Sequence, residues 1–102
     1  MTRDKLLGAV SMCRGAGKLA IGFDAALKAV SKGAPLLLAA SDAAERTVNN
    51  ARAACGPQTE FAPIGRTQAE IEQATGRKFA VAAVCDESFA RLIKQKIRED
   101  IQ

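Results

Sequence analysis

Leu36-Leu37-Leu38-Ala39-Ala40 is an unbroken apolar run, closed in front by Gly33 and Pro35 and behind by Ser41-Asp42. It is too short for a helix with one buried stripe. A run of this length without alternation fits a strand covered on both faces, as in a sheet flanked by helices. Phe79 to Val84 repeats the pattern and reads as a second central strand. Two such strands in one small chain point to a sheet covered by helices on both faces.

Before the first run, Phe23, Ala26, Leu27 and Val30 recur at i, i+3, i+4 and i+7, which predicts an amphipathic helix starting near Phe23. Gly33 suits the position just past its end, and Pro35 blocks continuation. Leu19-Ala20-Ile21 is a short extended piece. Upstream, Leu6, Leu7, Val10 and Cys13 give a helix over residues 3–14, ended by Gly15 and Gly17. After the run, Ser41 or Asp42 is expected to cap a helix with Ala44, Val48 and Ala51 inward, stopped by Gly56-Pro57. In that helix Arg46, Asn49, Asn50 and Arg52 face out. Glu60 to Ile64 reads as a strand. Thr67 and Glu70 form a capping box for a helix running to about Thr75, with Gly76 at its end. Asp86 is placed to cap a last helix whose stripe is Phe89, Leu92, Ile93 and Ile97. This alternation predicts one domain over residues 1–102, a three-layer α/β/α sandwich around a small, largely parallel or mixed sheet of about four strands.

Composition narrows the function. The 102 residues carry a net charge of +4, with three cysteines, four phenylalanines and no histidine. The absent histidine removes Ser-His and Cys-His catalysis in their usual forms. The cysteines (Cys13, Cys55, Cys85) are dispersed, so no metal site is expected, and they read as buried free thiols. Carboxylates do not cluster into an acid–base pair, and no enzyme or cofactor is expected. No apolar run approaches the length of a membrane span, and Met1 to Lys5 lack a signal-peptide core, which predicts a cytoplasmic protein. All of the net charge lies in residues 1–34, where six bases face two acids; a localised basic field suggests a polyanionic partner.

That basic segment holds the candidate site, Arg14-Gly-Ala-Gly-Lys18-Leu-Ala-Ile-Gly22-Phe23-Asp24-Ala25-Ala-Leu-Lys28. It is not a P-loop: Met12 stands where the first glycine belongs and Leu19 where Ser or Thr must follow the lysine. It is not a dinucleotide fingerprint, because Ala20 replaces the third glycine. What remains is a helix N-terminus, whose free N–H groups favour anions, with glycine in front of it and lysines beside it. Asp24 and Lys28 are spaced as an i, i+4 ion pair or as two groups aimed at one ligand. Phe61, Phe79 and Phe89 fall on core-facing patterns, so a stacking platform for bases is not expected.

The blocks R-G-A-G-K-L-A-I-G-F-D-A-A-L-K-A-V-S-K-G, L-L-L-A-A-S-D-A, P-I-G-R-T-Q-A-E-I-E-Q-A-T-G and A-V-A-A-V-C-D, in this order, resemble the ribosomal L-seven-Ae / L-thirty-e superfamily, and most of all its small bacterial YlxQ-like members. The resemblance runs from about Lys5 to Leu92. It implies the same α/β/α sandwich and a non-enzymatic protein that binds kink-turn or ribosomal RNA through the N-terminus of the second helix. The family pattern there is Gly, a small polar residue, Asn, Glu, two variable residues and Lys. Gly22 and Lys28 match it, whereas Asp24 and Ala25 stand in the Asn and Glu positions. The resemblance further implies a contact from the loop before the last strand, here Gly76-Arg77-Lys78. The RNA-binding residues so expected are Arg14, Lys18, Gly22, Phe23, Asp24, Ala25, Lys28, Arg77 and Lys78. The ribosome is a further expected partner. The alternative reading is a ribosome-associated protein-interaction module in which the RNA site has degenerated.

Overall fold

A computed structural model describes residues 4–101. The elements run α1 (Lys5–Gly15), β1 (Leu19–Ile21), α2 (Phe23–Ser31), β2 (Leu36–Ala39), α3 (Glu45–Ala54), β3 (Glu60–Pro63), α4 (Gln68–Thr75), β4 (Val81–Val84) and α5 (Glu87–Ile101). The order is the one expected from the sequence. Arg3, placed at the start of the first helix by periodicity, lies outside the described residues; Asp4 is the observed N-cap, its carboxylate accepting from the Leu7 N–H at 3.1 Å.

The strands form one mixed sheet in the order β1-β4-β2-β3. β2 is parallel to β3 and antiparallel to β4, and β1 is antiparallel to β4. The two uninterrupted apolar runs are therefore the two central strands, and every residue of both is buried. Their alternate side chains serve opposite cores. Leu36, Leu38, Ala82 and Val84 join Leu6, Val10, Cys13, Ile71, Phe79 and Ile93 on the side of α1, α4 and α5. Leu37, Ala39, Val81 and Ala83 join Ala26, Val30 and Ala51 on the side of α2 and α3. This division gives the three layers. A strand buried on both faces cannot alternate in polarity, and that is why the sequence shows runs rather than a period of two.

Three details differ from the sequence expectation. The last strand begins at Val81 rather than Phe79; Phe79 is a core side chain in the entering loop, and the Ala80 carbonyl accepts from the Ala40 N–H at 2.8 Å. Neither Ser41 nor Asp42 caps α3. The Ser41 N–H donates to the Arg66 carbonyl at 2.8 Å and the Asp42 carboxylate accepts from the Gln68 N–H at 2.9 Å, so both are engaged by the segment entering α4. α3 consequently starts at Glu45 with Ala44 as an N-cap that has no side-chain bond, and Ala44 is exposed rather than inward. Only Cys13 is a fully buried thiol; Cys55 is half-buried and Cys85 exposed. Cys85 follows the last residue of β4, where the strand leaves the cover of the helices.

The capping box of α4 is present, with the Thr67 hydroxyl accepting from Glu70 and the Glu70 carboxylate accepting from Thr67. Asp86 caps α5 through the Phe89 N–H at 3.0 Å. Phe61 and Phe89 are half-buried against the cores, and the Arg52 guanidinium lies 4.9 Å from the centre of the Phe61 ring. Arg52 is therefore a lid on that ring as well as an outward charge.

Candidate nucleic-acid interface

The end of β1 and the start of β4 meet at Gly22, whose N–H donates to the Val81 carbonyl at 3.1 Å. Gly22 has φ 102° and ψ 158°, a region that is essentially glycine-only. It turns the chain from the edge strand into α2 without a side chain in the way. As N-cap it offers no side-chain acceptor, so the N–H groups of Phe23, Asp24 and Ala25 have no partner among the described residues. The first backbone bond of the helix runs from Ala26 back to the Gly22 carbonyl at 2.8 Å. An uncapped first turn leaves a concentrated partial positive charge facing solvent.

Asp24 and Ala25 are exposed at this end, and Phe23 is half-buried against the α2–α3 core. Phe23 thus anchors the helix start with its ring packed against the core. Asp24 and Lys28 form no ion pair, and neither has an acidic or basic partner among the described residues. Of the two readings open to that spacing, the internal salt bridge is not the observed one.

The loop ahead of β4 leads into the strand at Val81, whose carbonyl holds the Gly22 N–H. Gly76, with φ 83°, ends α4 in the left-handed conformation and redirects the chain into Arg77 and Lys78, both exposed. The buried Thr75 hydroxyl sets this loop: it lies 2.7 Å from the Ile71 carbonyl and 3.0 Å from the Arg77 carbonyl, and accepts from the Arg77 N–H at 3.3 Å. Arg14 comes from α1, packed in the same layer as α4, and its guanidinium reaches within 3.9 Å of where a Gly76 side chain would begin. Arg14, Arg77 and Lys78 thus gather around the end of α4, and none has an ion-pair partner among the described residues.

Lys18 lies elsewhere. Its carbonyl accepts from the Cys85 N–H at 2.8 Å, at the far end of the β1–β4 pair. Four Cα-to-Cα steps of extended chain separate it from Gly22, about 13 Å. Two residues that the sequence reading did not assign to the site, Lys32 and Cys85, border it. With Lys28 they line a cleft along α2. The i, i+4 spacing of Lys28 and Lys32 is a legible signal for the first; nothing in the sequence singles out Cys85.

No protein-family model matches the chain, and no curated protein matches it. Solved structures do. A protein of unknown function from Bacillus halodurans C superposes with a TM-score of 0.85 at 27% identity, covering 94% of this chain and 99% of the other. The Giardia lamblia 15.5kD RNA binding protein superposes with a TM-score of 0.67 at 19% identity, over 93% of this chain and 83% of that one. The α/β/α sandwich expected from the sequence is therefore also a fold of known structures.

Proposed function

We propose that this chain is a non-enzymatic RNA-binding protein of the L-seven-Ae / L-thirty-e type, resembling the YlxQ-like members, and that it reads structured, kink-turn-like or ribosomal RNA with the N-terminus of α2. The observation that carries the reading is the open helix end. Three N–H groups with no acceptor among the described residues follow a glycine that presents no side chain, and the exposed Arg77 and Lys78 lie in the loop leading to Val81, whose carbonyl holds that glycine. The fold shared with the Giardia protein supports it.

In this reading the N–H groups of Phe23 to Ala25 approach the RNA backbone, and Lys28 reaches a base edge or phosphate one turn along the helix. Arg77, Lys78 and Arg14 grip phosphate beside it. Lys18 acts at a distance, through its charge. Asp24 and Ala25 replace the amide and carboxylate of the family pattern, so affinity rests on cations and backbone more than on side-chain base reading. Binding by charge releases counterions and weakens steeply with salt.

Lys28→Ala should weaken binding to a kink-turn RNA by about 1–3 kcal/mol in a gel-shift titration, the usual worth of a polar base contact. Unchanged affinity would remove Lys28 from the interface. If no RNA shifts even at low salt, the protein-interaction reading of the same surface takes its place.

A further inference from the structure

Lys28 and Lys32 stand one helical turn apart, with a rise of about 6 Å, on the flank of α2. With Ala25, Ala29, Pro35 and Cys85 they line an open cleft of about 520 Å³. Its walls are of two kinds. The ammonium groups have no acidic partner among the described residues, and the surface between them is made of methyl groups and the proline ring. Cys85 is exposed at its far end, and Lys18 is hydrogen-bonded to Cys85 through its backbone. Ala25 and Lys28 belong both to this cleft and to the helix end, so the two surfaces are continuous.

We infer that the cleft carries the RNA strand as it leaves the α2 N-terminus, with phosphates on Lys28 and Lys32 and the sugar packed over Ala29 and Pro35 beside the Cys85 thiol. The inference rests on the RNA-binding reading and extends its footprint from the helix end to the opposite end of the sheet. An alternating charged and apolar lining suits a sugar–phosphate chain, whose charges recur with less polar surface between them. Lys18 then adds its charge where the strand departs.

Cys85 makes the claim directly measurable. Cys13 is fully buried, and burial pushes its thiol up to about 12, so it resists alkylation. Replacing the half-buried Cys55 by serine leaves Cys85 as the accessible thiol. The experiment measures the rate of maleimide labelling of the Cys55→Ser protein with and without a kink-turn RNA, alongside gel shift of the same samples. Labelling of Cys85 should slow in proportion to the fraction of protein bound. Lys32→Ala should lower affinity and reduce the slope of log K against log salt by about one phosphate contact, or 0.7–0.9. RNA that shifts the protein while Cys85 labels at its free rate, and while Lys32→Ala keeps the full slope, would overturn the inference and leave the helix-end site standing. Absence of any shift would overturn both. Protection of Cys85 by a poly-glutamate peptide but not by RNA would assign the cleft to an acidic protein partner instead.

Discussion

Gly22 is the residue on which the proposed site turns. A side chain there would have room, since nothing among the described residues lies within 4 Å of its Cβ position, so the obstacle is the backbone conformation. Gly22→Ala should therefore destabilise the fold by about 1–3 kcal/mol, read as a lower urea midpoint at unchanged slope. Asp24 separates stability from binding. Its carboxylate favours the helix N-terminus by about 0.3–1 kcal/mol but repels a phosphate brought to the same place. Asp24→Asn should lower Tm slightly and strengthen RNA binding; weaker binding would show that the carboxylate itself reads the RNA. At this scale the sequence was legible where local geometry dominates. Gly22, Thr67, Gly76 and Asp86 all act as their neighbours imply. Asp42 does not, because the Gln68 N–H brought to it by the fold competes with the local cap. Cys55 and Cys85 depart for a similar reason: exposure at the ends of elements follows from packing, not from residue type.

Among the elements, the segment from β3 to α4 is held by one side chain. Arg66 bonds both Asp4 at the start of α1 and Asp100 in α5, and also the carbonyls of Ile64 and Gly65. It ties together two helices and a loop that are far apart in sequence. Hydrogen bonds from Arg66 hold the Asp4 carboxyl below its ordinary range against the opposing effect of burial, and do the same for Asp100. Both groups have folded pKa values depressed below their unfolded ones. Their contribution is therefore complete above the unfolded carboxylate range, near pH 4, and is lost as pH falls through the folded values. Tm of the natural chain should hold steady from neutral pH to about pH 5 and fall below pH 4. Arg66→Met should have a lower Tm at neutral pH and a shallower fall in acid, measured by thermal unfolding across pH. In the central strands, Leu37 is fully buried, and Leu37→Ala should cost about 2–5 kcal/mol. Their continuous apolar character made these strands readable, whereas sheet order was not: the sequence contains no local record of β1 pairing with β4, which lie far apart in the chain.

At the level of the whole molecule, the charge pattern gains its meaning from the fold. The sequence places the basic excess in its first third, and the structure adds Arg77 and Lys78 from the last third beside Arg14. It also spreads the lysines, with Lys18 at one end of the β1–β4 pair and Gly22 at the other. A compact cluster read from adjacent residues becomes a track along α2, because an extended strand carries neighbours in sequence apart while a turn brings distant ones together. The fold class followed from two apolar runs; this division of the site required the tertiary structure. In the proposed reading, an interface so composed responds to salt more than to any single base. The direct test is a titration of the protein with a kink-turn RNA over a series of salt concentrations, with Lys28→Ala measured in parallel. Tight binding at low salt, a steep linear fall of log K with log salt, and a shallower line for Lys28→Ala are expected. Binding that is absent at low salt, or that is indifferent both to salt and to Lys28, would contradict the proposed reading.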